Sequence, residues 1–421
     1  MMVTGGGAAV ALAMFSDCRA GPAATRSLAD FRRSKESWTD TWLRALAAIE
    51  PGTTLMIPAE VMTIESSLMI LSDDIGLRAM PGAALTAAGG TSFEYLLGAR
   101  GRRGIRISGL LLNVNQEQRR RVQRHRFMGL GLDACRDCNL SDLTVRGTLG
   151  FAGIPAVAIA IAGEGRGVTI DRVTMTSCGT TEQPSDGLYI SGDDHSATNV
   201  VARGVTDTAV VLEACNRSRI HGVDVSDSSA AAAITNITPY SKVGNAITGL
   251  VGRNLSAPVT GWVQIGCPLA SDGDLIDSTI AVDLASKAGP GPGINIRHVG
   301  KGRARGVSIT GTIAGAAAQG ILADGTDARM TVRVADCGGA AVQFEPGSSG
   351  QVSDSDISGG TFGVLVGRGA DVTTRNTSFR DQRYWNMYVY RGGRLQSQRD
   401  RFGAAGIDHH GHDVGGTLTK T

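Results

Sequence analysis

From Arg103 to roughly Phe402 the chain is a succession of short runs in which every second residue is aliphatic. One series reads "RGIRISGLLL", "NLSDLTVRG", "GVTIDRVTM", "NVVARGV" and "SRIHGVDVS", and continues as far as "DVTTRNTSF". Each member is followed by a second run that usually opens on Gly or Ala: "GLGLDA", "AVAIAIAG", "GLYISG", "AVVLEA", "AAAITN", and so on to "NMYVYR". The pair recurs with a period of about 20 to 30 residues. A period of two within each run gives one inward aliphatic face. No helical period separates the runs. A doubly wound sheet would need helices there, and a propeller would need four strands in about 40 residues. The pattern predicts an all-β chain, a right-handed parallel β-helix of about 11–12 coils in which each coil buries its face only by stacking on the next.

The solenoid is preceded by "SWTDTWLRALAAIEPGTTLMIPAEVMTI". Thr39 or Asp40 is placed to cap a short helix with Trp42, Leu43, Leu46 and Ile49 on one side, and Pro51-Gly52 stops it. Such a helix would close the open end of the core. The expected organisation is an export signal or unstructured start over residues 1–25, one β-helix domain with its cap over 26–402, and a flexible tail over 403–421. Residues 1–25 carry a small-residue apolar core with a polar exit but no basic start.

Composition sharpens the picture in two respects. There are 58 Gly against 12 Pro, as many tight turns between short strands require. The formal net charge is only +2, so no global field argues for a nucleic-acid or membrane partner, and no apolar run is long enough to span a bilayer. The seven Cys include one Cys135-x-x-Cys138 without a second pair, so buried thiols are expected rather than a metal site. "GIDHHGHDVGG" brings His409, His410, His412 and Asp413 together but falls in the expected tail. No cofactor and no metal is expected.

Candidate chemistry gathers at one corner of the coils. Three successive corners are long: "NQEQRRRVQRHR", "GTLGFAGIP" and "SCGTTEQPSD". Stacked on one edge, they would wall a groove. Aligned by their opening residue, the second runs place Tyr189 and Ser191, Val211 and Glu213, Thr235, Gln264, and Asn295 with Arg297 along one outward stripe. That stripe suits an extended polymer. Asp186 ends the third long corner, and the alignment stacks it on Thr208, with Asp207 one step diagonal. Two carboxylates so placed can divide acid and base roles in glycosidic cleavage, and Glu213 is a further carboxylate on the same face. Both Asp residues also suit turns that satisfy backbone N–H groups. The first corner offers Arg119, Arg120, Arg121, Arg124, His125 and Arg126. Arg124 and Arg126 could bind a uronate carboxylate, and His125 or Tyr189 could move a proton.

The helix and the strand after it resemble the N-terminal signature of the pectate-lyase-like β-helix superfamily. The matching residues are Asp40, Thr41, Ala45, Leu46, Ala48 and Ile49, then Leu55, Ile57, Pro58 and Ala59. That resemblance implies a β-helix and leaves lyases, hydrolases, epimerases and phage tailspikes open. "SDGLYIS" is similar to the N-T-D-G stretch of the polygalacturonase family. The similarity implies that Asp186 is a catalytic carboxylate and Asp207 the general acid. The pattern departs at Thr208, where the family has a second Asp. The family's Gly-His-Gly gives way to "SSAAAAITN", and "INIRHV" with Arg297 and His298 is only a displaced counterpart of its Arg-x-Lys.

The expected function is therefore binding and hydrolysis of an acidic, uronate-containing polysaccharide outside the cytoplasm, in the periplasm or beyond. A lyase or C5-epimerase would need nearly the same groups, and a non-catalytic tailspike-like or adhesion module is a third reading. Assembly as a homotrimer is compatible with a solenoid. Tyr384, Trp385, Tyr388 and Tyr390 form a dense aromatic cluster that could stack on sugars or cap the solenoid end.

Overall fold

The computed structural model describes residues 24–256, 259–270, 273–286, 289–413 and 415–421. The expected export segment lies outside them except for its last two residues. The chain is a right-handed parallel β-helix. One sheet has 22 strands and a second has 14, and a small third sheet joins Lys242–Val243, Leu275–Ile276 and Ala304–Arg305. The pairings between these strands are parallel.

All eleven second runs read from the sequence are strands of the fourteen-stranded sheet, from Met128–Asp133 to Trp385–Val389. Three further rungs complete it: Leu68–Ile70 and Tyr95–Arg100 at the start, and Asp408–His412 at the end. The last rung corrects the expected tail. Asp408–His412 pairs with Trp385–Val389, and Thr417–Lys420 pairs with Arg394–Ser397, so residues 403–421 continue both sheets. Phe402 and Leu418 pack against the end of the core, which gives these strands an apolar reason to stay.

Register makes the core a set of aliphatic ladders. Leu132, Ile161, Ile190, Leu212, Ile234, Ile265 and Ile296 stack in consecutive rungs, and all are buried. On the opposite sheet, Leu140, Ile170, Ala197, Ile220, Ile247, Ile280 and Ile309 do the same. Each large aliphatic side chain so buried contributes about 1.5–3 kcal/mol, which a single coil could not collect alone.

Where the long strands of the larger sheet bend, one stacked position is left-handed in successive rungs: Asp142, Arg172, Asn199, Gly222 and Gly249, with φ between 52° and 68°. Asp, Asn and Gly tolerate this region. At Arg172 the conformation is secured by ion pairing to Asp142, Nε–Oδ1 2.6 Å.

The N-terminal helix, α1, spans Trp38–Ala48. Its cap is Ser37, two residues before Thr39 and three before Asp40, with Oγ accepting from the Asp40 N–H at 3.1 Å. Thr39 instead receives the Glu65 N–H at 2.9 Å and ties the helix to the strand Val61–Ile64. Trp42, Leu46 and Ile49 are buried as expected, whereas Leu43 is 43% exposed.

Candidate functional site

Corner length positions the site. Residues 114–127, 147–155 and 179–184 separate the strands of three successive rungs. Backbone and side chains join these corners into one wall. Gln123 Nε2 donates to the Gly150 carbonyl at 2.6 Å, Gln183 Nε2 donates to Gln123 Oε1 at 2.9 Å, and the Gly150 N–H donates to the Gln183 carbonyl at 3.3 Å. The next two corners shrink to residues 206–207 and 227–229 before lengthening again at 254–262. Asp207 thus sits in a gap between taller connections.

Asp186 opens the rung beside that gap. Its Oδ1 accepts the Thr208 N–H at 3.1 Å, so the carboxylate bridges to the following rung. Gly187 lets the two rungs meet there, since a Cβ would lie 2.4 Å from the Ala209 carbonyl oxygen. Asp207 meets the Thr208 hydroxyl at 3.5 Å. Both carboxyls therefore converge on Thr208. Burial, and then the charges of Asp207 and Glu213, push Asp186 well above the ordinary carboxylate range against the opposing Thr208 N–H bond. Burial also raises Asp207, offset by the Thr208 hydroxyl.

Tyr189 and Glu213 form the second unit. The Tyr189 hydroxyl donates to Glu213 Oε1 at 2.5 Å. A bulge aims that carboxylate: Ile190 pairs with Leu212 and Gly192 with Cys215, so Glu213 and Ala214 together face Ser191, with Ala214 at φ 56°. Behind the bulge His195, 1% exposed, is held between the Val168 N–H at Nδ1, 3.1 Å, and the Ser191 carbonyl at Nε2, 3.1 Å. Burial lowers its pKa, so the ring is the neutral tautomer that accepts at Nδ1 and donates at Nε2. Burial, then the Glu213 charge, raises Tyr189 and keeps its phenol protonated.

The floor beside these groups is apolar. Met128, Ala156, Val157 and Ala160 form a small outer cluster, with Tyr95 and Tyr189 packed at its edges. A Cβ on Gly131 would strike the Tyr95 ring at 2.2 Å, so glycine there lets the ring lie over the rung. Tyr95 was not singled out from the sequence, because the runs were counted only from the following rung. In "EYLLGAR" the apolar residues run together without alternation, so the stretch gives Tyr95 no outward position.

The remaining expected residues divide. Arg126 reaches the floor, pairing with Glu94 at 3.0 Å and approaching the Pro155 carbonyl at 3.5 Å. Arg124 and His125 stand exposed on the same corner. Arg119 is removed from any ligand role. It is fully buried, donates to the Thr91, Val114 and Phe93 carbonyls, and lies between the Phe93 and Phe127 rings. Burial lowers its pKa to about 10. Gln264 is half-buried on the Tyr189 column and neighbours Asn295 in the next rung. Asn295 follows on the same outward column, but it is 6% exposed and its Nδ2 donates to the Thr260 carbonyl at 3.1 Å, so its amide is taken up in holding a corner. Arg297 is half-buried and lies on the Glu213 column, three rungs away, about 14 Å. Among the described residues no cluster suits a metal ion; His409 contacts Asn386, and His410 packs on Phe402. A surface depression of about 990 Å³ lies on the other sheet, around Arg333, Asp356 and Arg380, away from both carboxyl units.

No family model matches the chain, and no curated protein matches it in sequence. Solved structures do. The A-module of the mannuronan C-5 epimerase of Azotobacter vinelandii superposes with TM-score 0.54 at 11% identity, over 94% of this chain and 99% of that one. The tailspike protein of E. coli bacteriophage HK620, solved with a pentasaccharide, gives 0.61 at 11% identity, over 92% and 78%. An exopolygalacturonase from Thermotoga maritima gives 0.50 at 13% identity, over 85% and 92%. These likenesses define the class by fold, a right-handed parallel β-helix.

Proposed function

We propose that this chain binds an acidic polysaccharide along the outer face of the fourteen-stranded sheet and hydrolyses a glycosidic bond at Asp186 and Asp207. The observation that carries the reading is the convergence of two carboxyls of raised pKa on Thr208, beside a tyrosine-edged apolar floor. Asp186, the more strongly shifted, holds its proton more tightly than Asp207 and acts as general acid. It protonates the glycosidic oxygen as the C–O bond breaks. Asp207 stays ionised and takes the proton of the attacking water, whose oxygen joins the anomeric carbon. This assignment exchanges the acid role that family resemblance gave to Asp207. Arg126, at the apolar floor, and Arg297, on the Glu213 column, are cations for a uronate carboxylate. The structural neighbours support carbohydrate as the ligand class, since their names include an epimerase of mannuronan, an exopolygalacturonase and a saccharide-bound tailspike. An exported location belongs to the same reading.

One observation favours a second reading. The short Tyr189–Glu213 hydrogen bond joins a phenol and a carboxylate on the same face, the acid and base that β-elimination or C5 epimerisation of a uronate requires. The two are separated by incubating the purified protein with mannuronan and polygalacturonate. Hydrolysis yields new reducing ends that disappear in Asp186→Asn and Asp207→Asn. Elimination adds the ultraviolet absorbance of an unsaturated uronate, and epimerisation adds only exchange of the C5 proton with solvent deuterium. Loss of either signal in Tyr189→Phe with hydrolysis absent would overturn the Asp186–Asp207 assignment. Polymer binding without any of these changes would make the protein a binding module.

A further inference from the structure

The outward column that passes through Tyr189 continues for eight rungs, through Val211, Ala233, Gln264, Asn295, Leu322, Gln343 and Leu365 to Tyr388. At about 4.8 Å per rung, Tyr388 lies about 38 Å along the same face. Five rings gather at that end. Phe362 and Trp385 stack with centroids 5.8 Å apart and planes within 4°, and Trp385 meets Tyr388 at 4.9 Å. Tyr384 touches Phe362 and Trp385, and Tyr390 sits edge-on to Tyr388.

These rings are not the lid of the solenoid. The core runs to the C-terminal end and is met there by Phe402 and Leu418, while all five rings stay outside it. Tyr384 and Tyr390 are each 42% exposed. The final rung is shaped to leave them open. Gly411 pairs with Tyr388, and a Cβ at Gly411 would lie 2.9 Å from both Trp385 Nε1 and Tyr388 Cδ2. The Tyr388 hydroxyl is fixed by donation to Asp413 Oδ1 at 2.5 Å. Beside the rings is an open depression of about 430 Å³, lined in part by Leu365, Arg368, Tyr390, Arg391 and Asp413, with both guanidinium side chains exposed.

We infer that this aromatic face is a second, distal polysaccharide-binding site, taking sugar rings of the same chain that reaches Asp186. Aromatic faces accept the C–H faces of pyranose rings, and Arg368 and Arg391 supply charge for a carboxylate-bearing sugar. The site rests on the proposed polysaccharide function for its ligand class and on the shared column for its continuity. A polymer spanning both ends engages two sites at once, whereas a short oligosaccharide cannot.

The test uses the full chain, with mannuronan and polygalacturonate offered as long polymers and as trisaccharides. Tyr384→Ala/Tyr390→Ala, whose side chains are exposed, is expected to weaken affinity for the long polymer at least tenfold. Its thermal midpoint and its turnover of trisaccharides should remain those of wild type. Polymer is also expected to change the tryptophan fluorescence, and Trp385→Phe to remove that change, because Trp42 and Trp262 are fully buried and Trp38 lies on the N-terminal helix under the Arg32 guanidinium. Unchanged polymer affinity in the double tyrosine variant would overturn the site, as would failure of wild type to bind either polymer. Polymer binding that depends on the tyrosines, in a protein that forms no product from any probe, would support the distal site while the hydrolytic assignment falls.

Discussion

Two groups of aspartates meet opposite fates. On the larger sheet, Asp142 is held by Arg172 and Asp171 by Thr198 and Asn199, and both are pulled below the ordinary carboxylate range by those bonds. Asp224 and Asp283 likewise pair with arginines one rung away, Arg203 and Arg253. At the edge of the fourteen-stranded sheet, Asp186 and Asp207 have no such cation among the described residues, and burial drives both upward. The same residue type is a solvated brace at one set of positions and a carboxyl of raised proton affinity at the other. The difference teaches where a regular solenoid stops serving its own stability: at the rungs where charge is left without a counter-charge.

The strongest way to break this comparison is Asp186→Asn. Its amide oxygen can still accept the Thr208 N–H, so the fold should persist, while turnover of a cleaved polymer falls by about 10²–10⁴-fold. Reducing-end release and a thermal melt on the same sample check both halves.

A substitution in the shared core should ignore the distinction. Ile190→Ala, between Ile161 and Leu212 in the ladder, is expected to cost about 2–5 kcal/mol in denaturant unfolding.

The pH dependence then sharpens the contrast. Asp186 and Asp207 bind protons more tightly folded than unfolded, so their contribution is fully present below the unfolded value near 3.9 and is lost as pH rises through their raised folded values. Asp142 and Asp171 do the reverse, contributing above that value and losing the contribution as pH falls through their depressed folded values. As pH rises from the unfolded value of about 3.9 through the raised folded values, wild type should therefore lose stability relative to Asp186→Asn/Asp207→Asn. Relative to Asp142→Asn, its advantage should vanish on acidification. Denaturant midpoints across that range decide it.

The smallest effect is expected for Asp142→Asn at neutral pH. It removes an exposed pair, and such pairs contribute little. Turnover should be that of wild type and the melting midpoint nearly so.

The coils were legible because alternation and period are local signals. Each of the eleven runs from "GLGLDA" to "NMYVYR" became a rung, and their alignment placed Tyr189 beside Val211 and Gln264 beside Asn295 as the register has them. What failed was orientation and partnership. Asn295 occupies an outward-facing position, yet the long corner at 254–262 folds back to claim its amide. Arg119 reads as one more cation in a basic loop, but three carbonyls and two rings enclose it. The Tyr189–Glu213 contact depends on a bulge at Ala214 that no alternation rule announces. The tail was misjudged because its glycines hid a rung whose apolar support, Phe402 and Leu418, is only two residues.

The buried cysteines have a consequence for following motion in this molecule. Cys135, Cys138, Cys178, Cys215, Cys267 and Cys337 are all enclosed, and they are spread along the length of the solenoid. A thiol so enclosed reacts only when its own stretch of the stack opens. Pulsed alkylation read by mass would therefore time the openings thiol by thiol, and show whether the molecule unzips from one end or yields first in the middle.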